Sequence, residues 1–272
     1  MHYRQSALNL VRVLVPLWLF YALLYAFLVQ PFFAEATHGF LIWGKLILPP
    51  LVLGIVSYAV YMRTQPASVP RLWISPSQVE WPAVVFAIAC GIWLSFLPYA
   101  ATRYLHVLGA TAPMLYYGTW SLYDPLFLLA NLLLLGSNFA EELYFRGLLF
   151  PYLKGKTNIL FANILVALIF TIAHFPPTIS IVVVLIALAL VAALLVQVYD
   201  TLFYAFIAHS ILNLVSFLTV TTQLGFLMRG SPLAFGIEFF LASVALALAL
   251  AVVLYRKRST SVADGLEQGL VV

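Results

Sequence analysis

Charge is what this chain has least of. Asp, Glu, Lys and Arg make up 8% of its 272 residues, where soluble domains carry about 25%. With 64% hydrophobic residues and a mean hydropathy of +1.06, a soluble globular fold is excluded. Cysteine is nearly absent as well. The single Cys90 rules out an internal disulfide and a cysteine metal cluster, and gives no indication of redox compartment. The chain also has no His-Glu-x-x-His for a helical zinc site, no Gly-x-Gly-Asp, no Gly-x-Ser nucleophile motif and no internal repeat.

What it has instead is long apolar runs. Runs of 18 or more apolar residues read as transmembrane helices, so the expected fold class is all-α, a polytopic membrane protein of about eight helices around an intramembrane cavity. The expected spans lie near residues 11–30, 40–62, 82–101, 120–153, 159–174, 179–199, 201–220 and 233–255. Residues 1–258 then form a single transmembrane domain with its catalytic core at about 120–220, and 259–272 form a polar, disordered cytoplasmic tail. The charged start, apolar stretch and Ala34-Glu35-Ala36 also suit a cleaved signal peptide; the apolar stretch is long for one, which favours an uncleaved helix.

The net charge of +4 does not point to nucleic acid. What matters is the placement of the basic residues. Arg4, Arg12, Arg63, Arg71, Lys154, Lys156, Arg256, Lys257 and Arg258 fall on one side of the eight-span arrangement, and Arg103 and Arg229 on the other. The positive-inside rule puts the richer side, with both termini, in the cytoplasm.

Within this apolar background one stretch stands out: Asn138-Phe139-Ala140-Glu141-Glu142-Leu143-Tyr144-Phe145-Arg146. A charge at bilayer depth costs at least about 2.5–3.5 kcal/mol, so three within six positions need partners. At 100° per residue Glu142 and Arg146 share a helix face and can pair, whereas Glu141 points elsewhere. The expectation is that Arg146 holds Glu142 as a structural pair while Glu141 faces a cavity; the alternative is one structural cluster of all three.

Two further spans carry unusual polar residues. His174 follows Phe170 by four positions, so the ring can brace the imidazole, and Asn213 follows His209 by four. A carboxylate can act as general base on water, and imidazoles or an amide can stabilise an oxyanion. The same Glu141, His174 and His209 could ligate zinc with one open position. Each residue alone also suits a helix–helix hydrogen bond. A proton relay or transporter built on Glu141, His174 and His209 is the rival reading.

Taken together, Glu141-Glu142-x-x-x-Arg146, Phe170-x-x-x-His174 and His209-x-x-x-Asn213 on three successive spans resemble the CPBP family, over about residues 125–215. That family comprises the type II CAAX prenyl endopeptidases and bacterial relatives linked to bacteriocin self-immunity and peptide processing. The resemblance implies an intramembrane endopeptidase acting on a membrane-associated protein or peptide. It further implies a water activated by Glu141 with His174, and an oxyanion site at His209 and Asn213. Glu142, Arg146 and Phe170 take supporting roles. Zinc at Glu141, His174 and His209 stays open, since the family is commonly labelled metalloprotease. An inactive immunity or scaffold member stays open as well. The plasma membrane of a prokaryote is the expected location.

One count resists this picture. At 1.5 Å per residue, Glu141 and His209 lie roughly 12–18 Å from the inner side and His174 nearer 22 Å.

Overall fold

The computed structural model describes residues 52, 54–59, 74, 76–107, 125–174, 176, 178–221 and 239–253. Among the described residues every regular element is helical. α1 spans Trp81–Val107 and α2 spans Pro125–Glu142. A π-helical segment, Leu143–Leu149, leads into the short α3, Phe150–Lys154. Then come α4 (Ile159–Ala173), α5 (Ile179–Tyr199), α6 (Phe203–Thr221) and α7 (Phe239–Val253).

Trp81–Ala101 within α1, and α5, are long and apolar enough to cross a membrane. Helices α4 and α7 and the Phe203–Ser216 part of α6 are shorter apolar helices. The expected spans at 11–30 and most of 40–62 lie outside the described residues, as does the expected tail at 259–272. The loop expected from residue 102 begins instead as a continuation of α1.

Local chemistry explains the helix boundaries. Asn158 caps α4 by accepting from the Phe161 amide at 2.8 Å, and Thr178 caps α5 by accepting from the Ile181 amide at 3.4 Å. At the far end of α5, Asp200 adopts a left-handed conformation with φ 51° and donates its N–H to the Val196 carbonyl. That single residue lets the chain reverse, and α6 begins three positions later.

The expected helix at 120–153 is not uniform. In a regular α-helix the ring of Pro151 would press on the Gly147 carbonyl four residues back. Widening the helix over Leu143–Leu149 relieves that clash, and the Phe150 amide reaches back five residues to the Phe145 carbonyl. Such π-turns are frequent at functional sites. This one begins right after Glu142.

α1 packs chiefly on α6 and α5, α4 packs on α5, and α2 crosses α6. Two glycines permit the close crossings around α2 and α6. A Cβ at Gly91 of α1 would lie 2.5 Å from the Ala208 carbonyl oxygen and 2.7 Å from Ile211 Cβ, and one at Gly54 would collide with Ala140. Small residues at crossings let apolar helices associate where lipid supplies no hydrophobic drive. α7 docks on α1 through Trp93, whose Nε1 donates to Ser243 Oγ at 2.9 Å and whose ring stacks on Phe239.

Candidate active site

The site is built where α2 runs antiparallel to α6 and the end of α4 meets both. Glu142, the last residue of α2, accepts from Arg146 Nη1 at 3.2 Å and from His209 Nδ1 at 2.8 Å, both on its Oε1. Glu142 and Arg146 are fully buried and His209 nearly so. One carboxylate oxygen therefore ties the π-segment to α6. The Arg146 guanidinium lies 4.6 Å from the Phe170 ring centroid and 5.9 Å from that of Phe145. Its Nε and Nη2 make no hydrogen bond in the structure. A buried cation held by one carboxylate and two ring faces gains most from the rings because water is excluded.

Glu141 points to the other side, as the helical spacing requires. Its Oε2 lies 3.4 Å from His174 Nε2 and 3.8 Å from His209 Nε2, and makes no hydrogen bond. The imidazole orientations follow from their second nitrogens. His174 Nδ1 lies 2.8 Å from the Phe170 carbonyl oxygen; a carbonyl only accepts, so Nδ1 donates and neutral His174 presents its Nε2 lone pair to Glu141. By the same argument His209 donates through Nδ1 to Glu142 and turns Nε2 toward Glu141. The His174 side chain is 31% exposed, against 10% for Glu141 and 3% for His209. The site is thus most open on the α4 side.

The discrepancy in depth resolves here. His174 is the C-cap of α4, and helical side chains lean toward the helix N-terminus, so its ring folds back beneath Phe170. The two side chains expected at different depths thus meet, with His174 Nε2 3.4 Å from Glu141 Oε2.

Phe170 has a broader part than bracing one histidine. Its ring centroid lies 4.4 Å from that of His174, 6.1 Å from that of His209 and 5.0 Å from that of Phe145. Fully buried, it forms an apolar floor shared by Arg146 and both imidazoles.

Asn213 lies one turn beyond His209, and its Nδ2 donates to Asn138 Oδ1 at 2.7 Å. Asn138 Nδ2 in turn donates to Ser210 Oγ at 3.4 Å. Asn138 and Ser210 are contacts that sequence reasoning missed. The available signal was that Asn138 sits one turn before Glu142, as Asn213 sits one turn after His209, which gives two matched rungs between antiparallel helices.

Glu141, His174 and His209 are the nearest approach to a metal ligand set. Among the described residues, however, no three His, Cys, Asp or Glu side chains are grouped so as to hold a metal ion. A cleft of about 520 Å³ lies between α4 and α5, lined by Leu168, Thr171, Ile172, Pro176, Val182 and Ile186. It is apolar and contains none of the residues above.

A buried carboxylate facing two imidazoles, carried on apolar helices, defines a polar centre inside a membrane-type helical protein. Residues 123–215 match the family model described as type II CAAX prenyl endopeptidase Rce1-like, and the whole of this centre falls within the match. This part of the chain, about a third of its length, is similar to that family of membrane-embedded, CAAX protease-like endopeptidases. Neither the curated proteins nor the solved structures contain a match to the chain.

Proposed function

We propose that the chain is an intramembrane endopeptidase in which Glu141 activates a water for attack on a peptide carbonyl of a membrane-associated protein or peptide. The observation that carries this reading is the convergence of two imidazole Nε2 atoms on the unbonded Oε2 of Glu141. A water that donates to Glu141 Oε2, with His174 Nε2 flanking the same oxygen at 3.4 Å, keeps an oxygen lone pair for the carbonyl carbon. Glu141 takes the proton as the C–O bond forms and passes it to the amine nitrogen as the C–N bond breaks.

The oxyanion then meets Asn213 and His209. Since Nδ1 of His209 is committed to Glu142, donation through Nε2 requires the doubly protonated ring. Glu142 on one side of the ring and the oxyanion on the other balance that charge. Glu141, His174, His209 and Asn213 are the catalytic set in this reading. Glu142, Arg146 and Phe170 support it, and the derived steps need no metal.

The cellular setting we propose is the plasma membrane of a prokaryote, with both termini cytoplasmic and with lipid and a polypeptide substrate as partners. The test compares new polypeptide termini in membranes of cells producing the wild-type protein or Glu141→Gln at equal level. Termini that appear only with the wild type are expected. If none appears, the endopeptidase reading is wrong. Proton or ion flux in vesicles that is lost in Glu141→Gln would then favour transport, and its absence would favour a scaffold.

A further inference from the structure

From the Asn138–Asn213 contact we infer that Asn138 is a positioning residue, which fixes the Asn213 amide so that one N–H points to where the oxyanion forms. The inference rests on the oxyanion role given to Asn213 above and extends it to a residue on another helix.

A side-chain amide turns broadly about its last torsion and carries donors on one end and an acceptor on the other. Left free, Asn213 would present its carbonyl oxygen to a developing negative charge as readily as its N–H. That orientation repels the charge it is meant to stabilise. The 2.7 Å bond from Asn213 Nδ2 to Asn138 Oδ1 removes this freedom. One N–H is spent on Asn138, and the other is left on the same nitrogen, held at a set angle.

Asn138 is itself immobilised. It is 1% exposed, and its Nδ2 reaches Ser210 Oγ on the α6 turn between His209 and Asn213. One turn along α2, Glu142 holds His209 at 2.8 Å. The two rungs orient the two proposed oxyanion donors from a single helix face, one turn apart on each helix. Preorganised donors are worth most because they need no reorganisation when charge develops.

The test is a double-mutant cycle of Asn138→Leu and Asn213→Ala in purified protein. The probe is a detergent extract of membranes from cells producing Glu141→Gln, in which uncleaved substrates are retained. The readout is the formation of wild-type-dependent termini as a function of extract concentration. Asn213→Ala should lower the maximal rate about 10²–10³-fold. Asn138→Leu, which matches the size of Asn but cannot accept, should lower it by up to about 10²-fold with KM unchanged. Added to Asn213→Ala, it should cause no further loss, because its effect passes through that amide. Ser210→Ala removes only the longer contact and should stay within about twofold of wild type.

If the two losses multiply, or if Asn138→Leu alone keeps full turnover while Asn213→Ala does not, the positioning role is wrong and the oxyanion reading stands. If Asn213→Ala itself keeps full turnover, the oxyanion reading fails first. Should Asn138→Leu not accumulate as folded protein, Asn138→Ala enters the same cycle and the same outcomes decide.

Discussion

Arg146→Ala removes a fully buried cation whose Nη1 lies 3.2 Å from a fully buried carboxylate. What remains is a fully buried Glu142 whose one hydrogen-bond partner is His209 Nδ1. Breaking a buried pair from one side costs about 3–5 kcal/mol. The lost face contact with Phe170, at 4.6 Å, adds up to about 2 kcal/mol where water is excluded. For a chain of this size that predicts a fall in Tm on the order of 10 °C, measured on purified protein in detergent by intrinsic fluorescence. Glu141→Gln should leave Tm close to wild type, because the oxygen it changes makes no hydrogen bond. The double variant Glu142→Gln with Arg146→Met should recover much of what Arg146→Ala loses. Exchanging both partners leaves no orphan charge, and the amide oxygen introduced by Glu142→Gln still offers an acceptor to His209. Equal destabilisation by Arg146→Ala and Glu141→Gln would refute the division of the acids into a structural and a chemical one. So would an unchanged Tm for Arg146→Ala.

Three further outcomes are expected. Turnover should survive exhaustive chelation; activity lost with a chelator and restored by zinc would replace the water-only mechanism with a metal site at Glu141, His174 and His209. A reporter active only outside the cytoplasmic membrane should give no signal when fused to Val272, and a strong signal would mean an odd number of spans. Gly91→Leu should sharply reduce the yield of folded protein, because the new side chain would meet the Ala208 carbonyl and Ile211 at under 3 Å; normal yield and Tm would show that α1 and α6 cross less tightly than described.

Much of the helical layout was legible because it follows from apolar length and end signals. The run at 179–199 sits between Thr178 and Asp200, and α5 has those bounds. The end of α4 was marked by the prolines after His174, and the helix stops one residue earlier than expected because His174 serves as its cap. The contact of Glu142 with Arg146 was legible as well, since spacing of four positions brings two side chains together even where the helix widens. The widening itself was not legible. Pro151 stood at the end of an expected span, where a proline reads as a stop, and its pressure on Gly147 emerges only once the helix continues past it. Nor was the bridge from Asn138 to Asn213, because cross-helix pairing depends on register and register is not written in either segment alone. The linkage of His209 to Glu142 was hidden for the same reason: the acid already had an evident partner in its own helix.

The Phe170 ring, pressed by a guanidinium on one side and by two imidazoles nearby, makes the centre behave as one unit under substitution. A variant at any of these positions shifts a surface that the others share, so the costs of single changes will not add. Anyone seeking to alter what this centre does, by design or by selection, will find few acceptable single steps and will need to move the ring together with its neighbours. An aromatic residue with no proton to give or take thereby sets how finely the chemistry around it can be tuned.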